Sequence, residues 1–355
     1  MRILQVISSL ETGGAEKLVS QIAPMLRNLG NEVDVAVFKG CDTQFKHNLE
    51  DEGIKVMKFG KSCYGLRNLI RLTRVMRHYD IVHTHNTAPQ LYSAIAKVLC
   101  SVVLCTTEHN TSNRRRSWKW YVSIDRWMYH QYSRIICISD KAEQNLREYL
   151  SANFDNICTI YNGVDVSAFH AALPDAELSH PSKFAVVMVA GFRYQKDQDT
   201  VIRAIAMLPD NYELWLVGDG ERRKILEKLV EELRVSSSVK FLGLRNDVPN
   251  VLHAADVVVM SSHFEGLSLS NIEGMACGKP FVASDVDGLR EVTKNYGLLF
   301  PHGDAQALSD IIKRLHDDAS FYQFIADRCY LRAQQYDISK MVEQYNQVYQ
   351  DLVLK

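Results

Sequence analysis

The chain has eight cysteines, at 41, 63, 100, 105, 137, 158, 277 and 329, but no C-x-x-C pair among them. Scattered thiols of this kind argue against a disulfide framework or a zinc ribbon, and fit reduced, mostly buried cysteines in a cytosolic protein. An excess of positive charge is also lacking. Lys+Arg number 41 against 42 Asp+Glu, a formal net charge of −1, so there is no global attraction for nucleic acid. No apolar run approaches the length of a membrane span. The opening MRILQVISSLETGG is interrupted by Gln5, Ser8 and Ser9, and reads as a first strand rather than a signal peptide. The G-x-G-x-x-G fingerprint is absent from both halves, which disfavours a nicotinamide oxidoreductase. No short-period repeat or low-complexity segment stands out.

What is present is an ordinary globular composition, 46% hydrophobic and 23% charged, over 355 residues. That length allows two domains or one large one, with a sizeable core. Apolar β-branched runs predict strands at 3–10, 32–38, 54–59, 80–85, 102–108, 134–139 and 157–162. Amphipathic segments such as 15–29, closed by Gly30, and 66–78 fill the gaps as helices. The rhythm breaks at SAFHAALPDAELSHPSK, 167–183, the best linker candidate. It restarts with strands at 184–191, 212–218, 239–243, 256–262, 280–284 and 296–300, and ends in helical patterns near 304–317, 320–335 and 339–353. Strands apolar on both faces and separated by helices imply parallel sheets covered on both sides. The expected fold is therefore α/β, two tandem doubly wound Rossmann-like domains with an interdomain cleft. The boundaries are 1–166, a linker 167–183, 184–338, and a closing helix 339–355 that packs back on the first domain. Ligands of such folds bind outside the carboxyl ends of the strands.

Candidate residues collect at those ends. ETGGAEK, 11–17, puts Gly13 and Gly14 at a strand-to-helix turn, where a ligand can approach the backbone and a helix N-terminus favours anions. VGDGER, 217–222, is a second such turn, with Gly218. In AGFRYQKDQDT, 190–200, Arg193 and Lys196 stand three apart, suited to a phosphate or diphosphate. HFEGLSLSNIEG, 263–274, holds Glu265 and Glu273 eight positions apart, with a helix expected to start near Leu267. Free amides between the carboxylates make an anion site, and each carboxylate can accept from ligand hydroxyls. DVD (285–287) and DQD (197–199) resemble metal signatures, but such short matches are common by chance. HTH (83–85) sets His83 and His85 on one strand face without a third ligand, so no metal site is expected.

SSHFEGLSLSNIEGMACGKPFVASDVDGLREV resembles the E-x7-E segment of retaining glycosyltransferases of the GT-B fold, family four. The likeness extends over nearly the whole chain, through ETGGAE, DIVHTHN, TEHN, YNGVD, QKDQDTVIRA and VGDGE. It implies transfer of a hexosyl-type group from a nucleotide-sugar substrate, with no cofactor and no divalent metal. By position, Gly13 and Gly14 would face the donor diphosphate or the acceptor, and His109 would line the cleft near the donor sugar. Arg193 and Lys196 would hold the diphosphate. Glu265 would bind the transferred sugar beside the amides of Gly266, Leu267 and Ser268, and Glu273 would bind the ribose. Gly218 is placed with the donor. One departure matters: many members carry an arginine where this chain has Gly191, and Arg193 is the candidate to reach the same phosphate.

The segment 113–134 interleaves six Lys/Arg with three Trp and three Tyr. That pattern suits an anionic membrane surface or a lipid-linked pyrophosphate acceptor, or else a partly buried helix with a solvated basic end. His85, Arg114, Arg115, Arg116 and Trp118 are the acceptor-side candidates. The resulting expectation is a cytoplasmic enzyme of bacterial surface polysaccharide synthesis, peripheral on the inner face of the membrane. It would use a UDP-sugar and a glycan or lipid-linked acceptor, and would bind no nucleic acid. A GT-B nucleotide-sugar epimerase and a catalytically silent glycan-assembly subunit are the alternatives.

Overall fold

All thirteen strands read from the alternation of apolar runs are strands in the computed structural model, which describes residues 1–354 except 12, 41, 110–115, 117, 119–120, 152–153, 179–181 and 266–268. They form two separate parallel sheets, one in each of two compact units. Unit 1 holds β1 (Arg2–Ile7), β2 (Glu32–Lys39), β3 (Lys55–Gly60), β4 (Ile81–His85), β5 (Val103–Glu108), β6 (Arg134–Cys137) and β7 (Ile157–Thr159), in the order β3-β2-β1-β4-β5-β6-β7. Unit 2 holds β8 (Phe184–Val189), β9 (Tyr212–Val217), β10 (Val239–Gly243), β11 (Val257–Met260), β12 (Phe281–Ser284) and β13 (Leu298–Phe300), in the order β10-β9-β8-β11-β12-β13. In both units the order reverses beside the first strand, the switch point of a doubly wound sheet.

The central strands are buried on both faces, as a parallel sheet between helix layers requires. All of β9 is buried, including Trp215, and so is all of β11. In unit 1 every residue of β4, IVHTH, is buried, which forces His83, Thr84 and His85 to find partners inside the protein. The helix Gly14–Asn28 after β1 ends where Gly30 takes a φ of +85°, the left-handed stop read from the sequence.

The units divide at Asn162/Gly163, earlier than the composition break suggests. Phe169 and Leu178, inside the expected linker 167–183, are buried in the core of unit 2, as are Val164 and Val166 just before it. A Cβ on Gly163 would lie 2.6 Å from the Cα of Ile338, so this position needs glycine where 163–164 runs against 337–338. The last helix, Ile338–Val353, belongs to unit 1 from Ser339 onward. Its Tyr345 and Tyr349 are fully buried there, and rings of this size remove on the order of 150–250 Å² each from water. Among the described residues no helix is long and apolar enough to cross a membrane.

Candidate active site

In unit 2 two strand-end loops meet. The turn Tyr194–Lys196 follows β8, and residues 261–265 follow β11. His263 N donates to Gln195 O at 2.8 Å, Gln195 Nε2 donates to Phe264 O at 2.8 Å, and Ser261 Oγ donates to Asp197 O at 2.7 Å. A third loop joins when Ser284 Oγ, at the end of β12, donates to Ser262 O at 2.7 Å. The stitching brings Lys196 Nζ into an ion pair with Glu265 Oε1, which also accepts from Ser262 Oγ at 2.7 Å. The Glu265 side chain is only 8% exposed and that of Lys196 20%, so water screens the pair weakly. Among the described residues Glu265 Oε2 has no partner, and the ammonium has N–H groups to spare. The pair can therefore accept from a hydroxyl and donate to an anion at one place.

Arg193 is exposed, and its Nε lies 3.9 Å from where a Cβ on Gly191 would stand. Its side chain thus passes the point from which an arginine at 191 would start. Gly218, at φ +133°, lies so close to the Ala190 carbonyl that a Cβ there would collide with it, and a Cβ on Gly220 would lie 2.6 Å from Phe192 O. These glycines let the turn after β9 rest directly on the Arg193 loop. The described part of the following helix begins at Leu269, and Glu273 sits about one turn inside it. Glu273 and Ser270 stand beside Val189, Val248 and Met260 around a narrow crevice. Of the two Asp–x–Asp matches, both aspartates of DVD, Asp285 and Asp287, pair with Arg290, and Asp199 of DQD pairs with Arg222, while Asp197 has no lysine or arginine partner among the described residues. Among the described residues one group could hold a metal, Asp197, His263 and His302, with a ligand atom from each within 4.8 Å of the others.

In unit 1 the buried histidines of β4 are joined in a chain. Gln5 Oε1 and His85 Nε2 are 2.8 Å apart, and His85 Nδ1 and His109 Nε2 are 2.9 Å apart. An amide oxygen only accepts, so His85 donates from Nε2, accepts at Nδ1, and receives the Nε2 proton of His109. That leaves the Nδ1 lone pair of His109 as an acceptor. The other end of the Gln5 amide, Nε2, donates to Tyr349 Oη at 3.3 Å. Tyr349 Oη bonds His83 Nδ1, and His83 Nε2 lies 2.8 Å from Thr107 Oγ1. Burial lowers the pKa of His83 to about 3, that of His109 to about 4, and that of His85 well below the usual value. All three are therefore neutral in the fold, although Glu108 beside His109 pulls the other way.

Glu108 accepts from Gln90 Nε2 at 2.6 Å, Tyr129 Oη at 2.5 Å and Arg116 Nη2 at 2.9 Å. Arg116 is thus a buried partner of Glu108, not a solvated cation. Gly13 is the N-cap of the helix Gly14–Asn28, and the Glu16 carboxylate folds over it, while the space beside Gly14 is open. A hollow of about 290 Å³ lies near the carboxyl ends of β1 and β2, lined by Leu10, Val37, Gly40, Asp42, Lys46 and Lys58. Trp118 is exposed, as are Ile124 and Trp127 on the helix Tyr121–His130, whose Asp125, Met128 and Tyr129 face inward.

Comparison with known proteins adds the family. Residues 172–351 match the model for glycosyl transferases group 1, and residues 12–168 match that for glycosyltransferase family 4. The chain belongs to the GT-B glycosyltransferases of family 4. One relative of this glycosyltransferase is the Escherichia coli UDP-Gal:alpha-D-GlcNAc-diphosphoundecaprenol alpha-1,3-galactosyltransferase, 27% identical over 85% of this chain and 82% of that one. Another is the Campylobacter jejuni N,N'-diacetylbacillosaminyl-diphospho-undecaprenol alpha-1,3-N-acetylgalactosaminyltransferase, 24% identical over 94% of this chain and 95% of that one. Among solved structures, Anabaena HepE in complex with UDP shares the fold, with a TM-score of 0.85 at 24% identity over 99% of this chain and 100% of that one.

The structure of this glycosyltransferase brings Lys196 and Glu265 into contact, with Arg193 and Gly218 on neighbouring loops and Glu273 a turn into the helix. His85 and His109 are joined in unit 1. Gly266, Leu267, Ser268, Arg114 and Arg115 lie outside the described residues. Sequence reasoning missed Ser262, although it stands three residues before Glu265, and treated Gln5 only as an interruption of the first strand. A buried glutamine inside an apolar strand was the available signal.

The neutral histidines tie stability to pH. An unfolded histidine takes a proton below about pH 6.5 while the folded ones resist down to about pH 4 or below, so stability falls as pH falls through that window. The expected slope is at most about 1.4 kcal/mol per pH unit for each histidine. Urea unfolding at pH 7, 6 and 5 should show a midpoint that drops at each step. A constant midpoint would contradict the neutral network.

Proposed function

We propose that this glycosyltransferase moves a hexose-type sugar from a UDP-sugar, with retention at the anomeric carbon, to a lipid-linked or glycan acceptor in bacterial surface polysaccharide synthesis. The observation that carries the reading is the Lys196–Glu265–Ser262 cluster, with Glu273 eight residues farther along beside a narrow crevice. The activities of the Escherichia coli and Campylobacter jejuni relatives, both acting on diphosphoundecaprenol-linked sugars, support the acceptor class. HepE, solved with UDP and with UDP-glucose, supports the donor.

In this reading Glu273 accepts from the ribose hydroxyls and Glu265 Oε2 from the sugar hydroxyls. Lys196 and Arg193 meet the diphosphate, with the helix that contains Glu273 adding its N-terminal dipole. As the bond from the anomeric carbon to phosphate oxygen breaks, negative charge grows where those cations stand, and no divalent ion or cofactor is invoked. The acceptor oxygen bonds to the same face of the carbon, and its proton passes to the departing phosphate.

The donor assignment is tested by calorimetry with UDP-sugars and by turnover. Glu273→Ala should weaken UDP-sugar binding roughly tenfold to a hundredfold, the worth of hydrogen bonds to a charged group. Glu265→Ala should lower kcat more than it weakens UDP binding. Wild-type behaviour in both variants would refute the assignment, and the anomeric configuration of the product, read by NMR, tests retention.

Arg193 standing in for the family arginine has its own test. Arg193→Ala should lower kcat by about a hundredfold or more, the scale of removing one group that stabilises transition-state charge. Only ordinary contacts meet a Cβ at Gly191, so Gly191→Arg in the Arg193→Ala background should restore much of the loss. Failure of the double variant, with its fold intact, would detach Arg193 from the phosphate.

The proposed location is the inner face of the cell membrane, touched by the exposed Trp118, Ile124 and Trp127, in a segment whose sequence is rich in Lys and Arg. Co-sedimentation with vesicles of phosphatidylglycerol, but not phosphatidylcholine alone, is the expected result. Equal recovery with both would remove the anionic surface from the proposal.

A further inference from the structure

We infer that Asp197, His263 and His302 form a binding site for a late first-row divalent cation such as zinc, separate from the groups assigned to the diphosphate. His263 Nδ1 lies 2.5 Å from His302 Nε2 and 3.9 Å from Asp197 Oδ2. The residues come from three loops of unit 2: after β8, after β11 and after β13.

The case begins with charge. Asp197 is 5% exposed, and no lysine or arginine pairs with it among the described residues. It precedes the helix Gln198–Ile205 at a φ of +51°, but its side chain takes no bond from that helix's backbone. Its carboxylate accepts a hydrogen bond from Thr200 Oγ1, at 2.6 Å. A carboxylate this far from water needs a positive counterpart, and what faces it is a pair of imidazoles. In the metal-free state one ring must donate its N–H to the other. When the two N–H tautomers turn away, the nitrogens present two lone pairs, and with the carboxylate they make a donor set of net charge −1 for a dication.

The geometry is close to what an ion needs. Two ligand atoms about 2.1 Å from one ion at the tetrahedral angle stand roughly 3.4 Å apart. The imidazole pair would open by about 0.9 Å, His263 and the carboxylate close in by about 0.5 Å, and the carboxylate and His302, within 4.8 Å, close by at most about 1.4 Å. His302 is exposed and can make that adjustment, and the solvent side leaves positions for water. Imidazole and carboxylate together suit zinc, nickel or cobalt over magnesium or calcium. The outer contacts are those of a held ligand: Thr200 orients Asp197, the His263 backbone is tied to Gln195, and the Tyr194 ring lies 4.5 Å from the His263 ring.

Bound there, an ion ties the loop after β13 to the two loops that carry Lys196 and Glu265. Its role is to hold those loops together, and binding does not depend on which sugar is transferred.

The test is direct binding to the full chain freed of metal by chelation. Zinc calorimetry should give one site per chain, and cobalt should give a visible d–d absorption with the same stoichiometry. His302→Ala and His263→Ala should each weaken zinc binding by at least about tenfold, the lower bound expected when even an outer contact of a metal site is lost. Zinc should raise the Tm of the wild type but not of His302→Ala, a variant whose exposed position keeps the fold intact. Wild-type stoichiometry and affinity in His302→Ala would overturn the inference, as would the absence of any cobalt spectrum in the wild type.

Discussion

The contact on which unit 2 depends is the ion pair of Lys196 and Glu265 where the loops after β8 and β11 meet. Neither residue is near the other in sequence, and neither loop could hold its charge alone at such low exposure. The pair survives burial because one carboxylate oxygen receives both the ammonium and the Ser262 hydroxyl, and because backbone bonds at Gln195, His263 and Phe264 fix the loops around it. A half-satisfied carboxylate with one free oxygen is poor for stability and well suited to a ligand rich in hydroxyls. The rest of the unit supports this arrangement: the parallel sheet aligns the strand ends, and Gly218 and Gly220 let a third loop press on the Arg193 turn.

Unit 1 answers a different constraint. Placing HTH on a strand buried on both faces obliges two imidazoles to be neutral and bonded. Gln5 satisfies one and Tyr349 the other, so the last helix of the chain completes the interior beside the first strand. The same bonds set the tautomer of His85 and pass that choice to His109. A residue that reads as a break in an apolar strand is thus the group that orients His85 and, through it, His109.

Much of this was legible beforehand. Strands follow from runs of β-branched residues, which report burial within a few positions, and all thirteen were found that way. Glu265 and Glu273 stood out because both lie on one short segment, eight positions apart. The linker was not, because prolines and weak periodicity at 167–183 mark an irregular path and cannot reveal that Phe169 and Leu178 are buried along it. Arg116 misled for a similar reason: in a run of cations it looks solvated, and only the fold shows Glu108 beside it.

By itself, then, the sequence determined the two parallel α/β sheets and the family, since these depend on local periodicity and on motifs within a few residues of one another. The tertiary structure decided which charges neutralise each other, which histidines are neutral, and that Asp197 and His263 converge with His302 from a loop 39 residues farther on. Those outcomes depend on distances between loops remote in sequence and on the exclusion of water around them, and both arise only when the sheets have aligned their strand ends.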